Sequence, residues 1–398
     1  MARRSYGRLV AFLAARTRDV AGAEDALADA FAAALAHWPV SGVPEKPEAW
    51  LLAAARRKLI DASRRRRTAT DATGHLQLLA DEMSQGDDMQ IPDDRLALMF
   101  ACAHPAIDPA IRAPLILQTI LGFDAAAIGS AFLVSPAAMG QRLVRAKTRI
   151  KDAGIPFRMP DAADLPERLE AVLEAIYAAF AEGWTDPAGT EARRRDLAEE
   201  AIWLGRLVVS LLPDEAEAQG LLALMLYAEA RRSARRTAEG DYVPLAEQDP
   251  ASWDPQLIEE AERLLSHASR AGVTGRYQLE AAVQSAHVVR RVTGRADWEA
   301  IAALYGALQA MTGSPVVAIN RAVALAESDG AEAGLAVLDE AAADARLADY
   351  QPYWAARADL LARIGNAKAA DTAYERAIGL EADPAVRRFL QQRRDELS

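Results

Sequence analysis

The chain has 398 residues, 51% hydrophobic and 26% charged, with 57 acidic against 46 basic side chains and a formal net charge of −11. That length holds two or three ordinary domains, and the composition excludes a chain too polar to build a core. The single cysteine, Cys102, excludes a disulfide framework, and five scattered histidines offer no zinc-ligand spacing, so no metal and no cofactor are expected.

Alanine, leucine, arginine and glutamate dominate, and alternating β-branched runs are missing. Helical apolar spacing recurs in almost every long segment, so the expected fold class is all-α. No apolar run approaches the roughly 20 residues of a membrane span. The opening MARRSYGRLV lacks the apolar core and cleavage site of a signal peptide, so a cytoplasmic protein with no membrane partner is expected.

Residues 1–67 hold 13 basic and 7 acidic side chains, a basic block inside an acidic chain. AEDALADAFAAALAHWP reads as a helix, with Ala23, Leu27, Ala30 and Leu35 apolar and Glu24, Asp25 and Asp29 facing out. The loop VSGVPEKP then joins Trp38 to Trp50. In the next helix Leu52, Ala55, Leu59 and Ala62 form an apolar stripe, opposite Arg57, Asp61, Arg64 and Arg65. Asp61 can pair with Arg57 and Arg65 at i±4, worth tenths of a kcal/mol. Four arginines ending a helix suit its carbonyl dipoles as well as they suit phosphates. Tryptophans can stack on unpaired bases, although for each one taken separately plain core packing is the simpler reading.

An acidic, glycine-containing linker follows over residues 71–92. Residues 93–155 form a second compact segment ending in a helix-turn-helix layout. Its first helix covers Ala125–Phe132, with Gly129 allowing close contact, and Ser135 and Pro136 start the second. Met139, Leu143, Ala146 and Ile150 make the apolar stripe there, while Gln141, Arg142, Arg145 and Arg149 project from the other face. In such a motif the second helix enters the major groove.

From residue 156 onward the chain is helical and mostly acidic. Near its end a period of about 36 residues relates Gly294, Gly330 and Asn366, and likewise Ala286, Ala322 and Ala358. Arg321 matches Arg357 at the same offset. The pattern is that of stacked helical pairs, which bury one continuous core and leave a concave surface.

Taken together, AEDALADAF, the paired tryptophans, AWLLAAARRKLIDASRRRR and the helix-turn-helix with RLVRAK resemble a bacterial sigma factor of the extracytoplasmic-function (ECF) type. EAIWLGRLVVSLLPDEAEAQGLLALMLYAEARRSAR, AEQDPASWD and SPVVAINRAVALAESDG resemble the long tetratricopeptide-like extension that some of these factors carry. The resemblance implies two small helical domains that bind DNA and polymerase, followed by a tetratricopeptide-like helical repeat domain. Its domain layout is region 2 at 1–70, the linker at 71–92, region 4 at 93–155 and the extension at 156–398.

The implied activity is promoter-specific transcription initiation, with core RNA polymerase and promoter DNA as partners and no catalysis of its own. Glu24, Asp25, Asp29 and Phe31 match the polymerase contact. Trp38, Lys46, Trp50, Arg56, Arg57, Lys58, Asp61, Arg64 and Arg65 match the −10 element reader. Ala137, Ala138, Gln141, Arg142, Arg145 and Arg149 match the −35 reader. The sequence departs from the family pattern at Ala28, Arg57, Ala127 and Ala138. A protein or peptide regulator in the repeat groove is a further expectation. The competing reading is a helical-repeat scaffold whose basic head binds nucleic acid nonspecifically.

Overall fold

The computed structural model describes residues 2–65, 93–132, 134–161, 163–184 and 192–397. Among these residues the regular structure is helical, with one isolated bridge between Arg236 and Tyr242. The chain divides into two compact units, Met1–Glu182 and Gly183–Ser398. The expected acidic linker at 71–92 lies outside the described residues.

The first unit is organised around α1 (Ala2–Thr17). Leu9 to Ala14 are all fully buried, so this helix is enclosed on every side rather than lying on a surface. Around it pack α2 (Val20–Ser41), α3 (Pro47–Arg65), α4 (Arg95–Cys102) and α5 (Pro109–Leu121). Gly7 sets the approach of α1 to α5, since a Cβ there would overlap the Ile120 carbonyl. Arg18 turns the chain with a left-handed backbone (φ 53°), and Asp19 caps α2 by accepting the Gly22 N–H at 2.9 Å. Cys102 is buried, its sulfur 3.6 Å from the Thr119 hydroxyl, and burial pushes its thiol up to about 12.

The helix-turn-helix is present as α6 (Ala125–Ala131) and α7 (Pro136–Asp152). Gly129 lets the Val134 carbonyl close onto α6, where a Cβ would meet it at 2.6 Å. Ser135 caps α7 through the Ala138 N–H. The buried residues of α7 are Met139, Leu143, Ala146 and Ile150, the stripe its spacing gives. Helices α1–α3 and α4–α7, separate in sequence, pack in one compact unit. Helix α8 (Leu165–Trp184) runs to the division between the units.

The second unit begins with α9 (Ala192–Leu211), α10 (Ala216–Ala230) and α11 (Pro255–Ala268). Helix α10 is buried on all sides. Between α10 and α11 an irregular stretch inserts Trp253, which is 1% exposed. Glu217 caps the start of α12 (Arg276–Val288) from a distance, accepting the N–H groups of Tyr277 and Gln278 at 3.0 and 3.1 Å. A short α13 (Arg290–Thr293) follows, then α14 (Trp298–Thr312), α15 (Pro315–Ser328), α16 (Ala331–Ala341), α17 (Gln351–Arg363), α18 (Ala367–Leu380) and α19 (Pro384–Asp395).

Adjacent pairs α15–α16 and α17–α18 carry the sequence period. Gly330 (φ 100°) caps α16, and Gly365 (φ 80°) precedes the cap Asn366 of α18, each reversing the chain with a backbone that favours glycine. Ala322, Ala358, Ala370 and Ala377 are fully buried, and this small-residue packing brings the helices close. The matched arginines do the same work, Arg321 donating to Gln309 of α14 and Arg357 to Asp339 of α16, each reaching back to the helix before its own pair. Gly294 departs from the pattern, ending α13 three residues before the cap of α14.

Gly334 marks the tightest of these crossings. A Cβ there would sit 2.5 Å from the Ala322 carbonyl oxygen and 2.9 Å from Leu360. Gly334→Ala is expected to lower stability by about 1–3 kcal/mol through overpacking, measured by urea denaturation of the full chain. Wild-type stability would show that the crossing yields.

Candidate polymerase and nucleic-acid interface

Helices α2 and α3 form an antiparallel pair joined by the loop that starts at Gly42. Trp38 and Trp50 face one another across the loop, edge to face at 5.5 Å, both half-buried. Around them the surface is apolar and open, with Val40 and Val43 at 89% and 66% exposed. Lys46 is exposed at the start of α3. Further along α3, Arg57, Lys58 and Asp61 are exposed, and Lys58 reaches Asp29 of α2 at 3.3 Å. Arg64 and Arg65 close the helix, and their side chains lie outside the described residues, as do Arg66 and Arg67.

Several side chains stand where the sequence pattern did not put them. Arg56 is buried, its guanidinium 5.3 Å from the Phe12 ring, because α1 supplies an aromatic face where α3 turns inward. It thus lies against α1. Leu35 is 79% exposed and Ala34 is buried instead. The stripe Ala23, Leu27, Ala30, Ala34 keeps helical spacing, and the next residue lies about 100° around the helix.

Glu24 is the other exception. Asp25 and Asp29 are exposed on α2 as expected and Phe31 is half-buried, stacked 6.5 Å from Tyr6. Glu24, however, is enclosed by α7, where Lys147 donates to it at 2.6 Å, both side chains only 11% exposed. Burial holds the Glu24 carboxyl above its ordinary range, Lys147 opposes this and Asp25 adds to it. A second ion pair, Lys151 with Asp19 at 2.7 Å, fastens the same two helices. No local pattern could announce this contact, because its partners are 123 and 132 positions apart.

On α7 the opposite face is open. Ala137, Gln141, Arg142, Arg145 and Arg149 are exposed, and Ala138 is half-buried beside the cap. Among the described residues no carboxylate pairs with Arg142, Arg145 or Arg149. Such a row of uncompensated guanidinium groups on one helix face is suited to phosphate oxygens and guanine edges.

The Glu24–Lys147 pair gives a measurable consequence. Removing one partner of a nearly buried pair strands the other charge, so Lys147→Met is expected to cost about 3 kcal/mol. The folded carboxyl binds its proton more tightly than the unfolded one, so its contribution is complete below the unfolded pKa and declines as pH rises through the folded pKa. Relative to Glu24→Gln, the wild type should gain stability as pH falls from neutral into the ordinary carboxylate range. Parallel urea titrations at several pH values test this, and a pH-independent difference would contradict it.

Residues 1–69 match sigma-70 region 2, and residues 168–269 match a family of unknown function (DUF6596). An uncharacterized protein of Rhizobium meliloti (strain 1021) is 40% identical over 382 residues, covering 94% of this chain and 90% of that protein. No solved structure matches the chain. The region 2 domain implies binding to core RNA polymerase and promoter DNA. The chain belongs to the same family as this rhizobial protein, and its region 2 domain makes it sigma-factor-like.

Proposed function

We propose that the protein is an ECF-type sigma factor that docks on core RNA polymerase, recognises a two-element promoter and is regulated through its C-terminal helical unit. The observation that carries this reading is the region 2 match over α1–α3, followed in the same compact unit by a helix-turn-helix with an uncompensated basic face. Asp25, Asp29 and Phe31 on α2 are the proposed polymerase contacts. Glu24 joins them once Lys147 withdraws, so polymerase and α7 compete for one face of α2. Arg57, Lys58 and Lys46 would follow the phosphates near the −10 element. The open apolar loop around Val40 and Val43, beside Trp38 and Trp50, would receive an unstacked base. Unstacking costs about 1.4 kcal/mol per step, and a preformed apolar site offsets it. Gln141, Arg142, Arg145 and Arg149 would read and grip the −35 element.

The test is run-off transcription with purified core polymerase on a pool of DNA from the source genome. Discrete start sites are expected, and they should be lost with Arg57→Ala/Lys58→Ala. With about five cations on phosphates, log K should fall with log salt at a slope near −4 to −5, and the double variant should flatten it by one to two units. A scaffold with a nonspecific nucleic-acid-binding head would bind DNA with a similar salt slope but would not bind core polymerase, so failure to co-purify with polymerase favours that reading. Truncation after Glu182 should alter the level or the control of transcription. Identical transcription from the truncated chain would remove the regulatory role of the second unit.

A further inference from the structure

Stacked helical pairs touch only their neighbours, so a contact between the two ends of such an array needs its own cause. The second unit makes one. From α10 each helix packs on the next, through α12 and α14 to α18, and α19 lies on α18. Leu390 of α19 is buried in the same core as Leu360 and Tyr374. Yet α19 also meets the stretch that follows α10, 147 positions earlier in the chain.

That stretch is a small hairpin. Arg236 and Tyr242 form its bridge, and the Val243 N–H donates to the Arg235 carbonyl at 2.9 Å. Gly240 turns the chain with a φ of 89°, a backbone that favours glycine. From the other side Arg290 of α13 donates to the carbonyls of Leu245, Ala246 and Gln248, which fixes the continuation of the hairpin.

Four contacts join this stretch to α19. Arg236 pairs with Asp383, which also caps α19 by accepting the Ala385 N–H at 2.9 Å. Arg388 pairs with Asp241 at 2.8 Å, and Arg393 with Glu247 at 3.3 Å. Tyr242 stands edge to face with Phe389 at 5.5 Å, and the Arg393 guanidinium lies 5.5 Å from the Phe389 ring. The Arg236 pair is largely buried, whereas every side chain in the other two is at least 40% exposed. Exposed pairs are weak and are screened by salt. Arg393 also reaches Glu396 at 3.3 Å, so it keeps a carboxylate when Glu247 leaves. Water or a competing carboxylate can replace these contacts, unlike the apolar packing of α19 on α18.

We propose that this face of α19, Phe389 with Arg388 and Arg393, is a docking surface for an acidic segment of a partner protein that carries an aromatic residue, and that the hairpin is a latch filling it. The hairpin displays the chemistry that the surface takes, an aromatic ring with carboxylates before and after it in the chain, here Asp241, Tyr242 and Glu247. A partner segment offering the same groups gains both guanidinium groups and the ring, and opens the circuit at α19. The hairpin competes at the high effective concentration of a tethered group, so the surface responds only to a partner that binds more tightly or is itself held nearby.

The surface belongs to the second unit alone, so its test needs neither DNA nor polymerase and stands apart from the transcription reading. A fluorescein-labelled peptide of residues 236–248, RTAEGDYVPLAEQ, is titrated by fluorescence anisotropy into the full chain carrying Asp241→Asn, Tyr242→Ala and Glu247→Gln. One saturable site per chain is expected. Binding to the wild type should be about tenfold weaker or more, because its own hairpin fills the surface. Adding Arg388→Ala and Arg393→Ala to the triple variant should weaken binding by about tenfold or more. Hydrogen exchange of the wild-type chain gives a reading free of any substitution. Amides of the hairpin and of α19 should exchange faster at about 1 M than at about 0.1 M salt, while those of α10 stay unchanged. Absence of saturable binding, equal binding to the wild type, binding indifferent to the two arginines, or salt-independent exchange would overturn the proposal. So would a wild-type dimer at high salt, which would assign the surface to the hairpin of a second copy.

Discussion

A charge withdrawn from water must meet an opposite charge, a hydrogen-bond partner or an aromatic face, and this constraint arranges both units of the chain. In the first unit Glu24 and Lys147 satisfy one another between α2 and α7, while Arg56 rests on Phe12. In the second, Arg231 and Arg290 settle on Trp253 and on neutral oxygens. The same rule sorts cations by purpose. Those committed to the fold have found partners, and among the described residues no carboxylate pairs with Arg142, Arg145 or Arg149 on the open face of α7.

The contact between α2 and α7 joins two halves of sequence that look independent. It relies on geometry as much as on charge, since Gly7 permits α1 to lie directly on the backbone of α5. A unit closed in this way presents the proposed −35 face outward while part of the proposed polymerase face stays covered. Under the proposed function, docking and opening become one event, and the free energy of breaking two ion pairs is part of the affinity for polymerase.

Much of this was legible in the sequence, for identifiable reasons. Helix α7 was fully readable because its apolar and basic residues are segregated, and every stripe residue is buried. Helix α2 was readable up to Leu35, where a large apolar side chain outweighed the strict spacing that favours Ala34. Helices α1 and α10 gave no one-sided stripe, because each is surrounded, and a helix that is apolar all round has no direction to read. The burial of Arg56 was not legible for a related reason, because its neighbour Phe12 is far away in sequence. The setting of Arg231 was beyond sequence reasoning altogether, because its partners Gln284 and Trp253 lie on elements far away in the chain.

The lone cysteine has a practical consequence for watching these helices move. Cys102 sits at the end of α4 against Thr119 of α5, fully enclosed, with a thiol that stays protonated at neutral pH. Alkylating reagents attack the thiolate, so this position reacts only when the surrounding helices part. The wild-type chain thus carries its own clock for the opening of its N-terminal unit. Because the native sulfur is silent while that unit is closed, single cysteines introduced on α2 and α7 could be labelled with fluorophores, and their separation followed as polymerase is added.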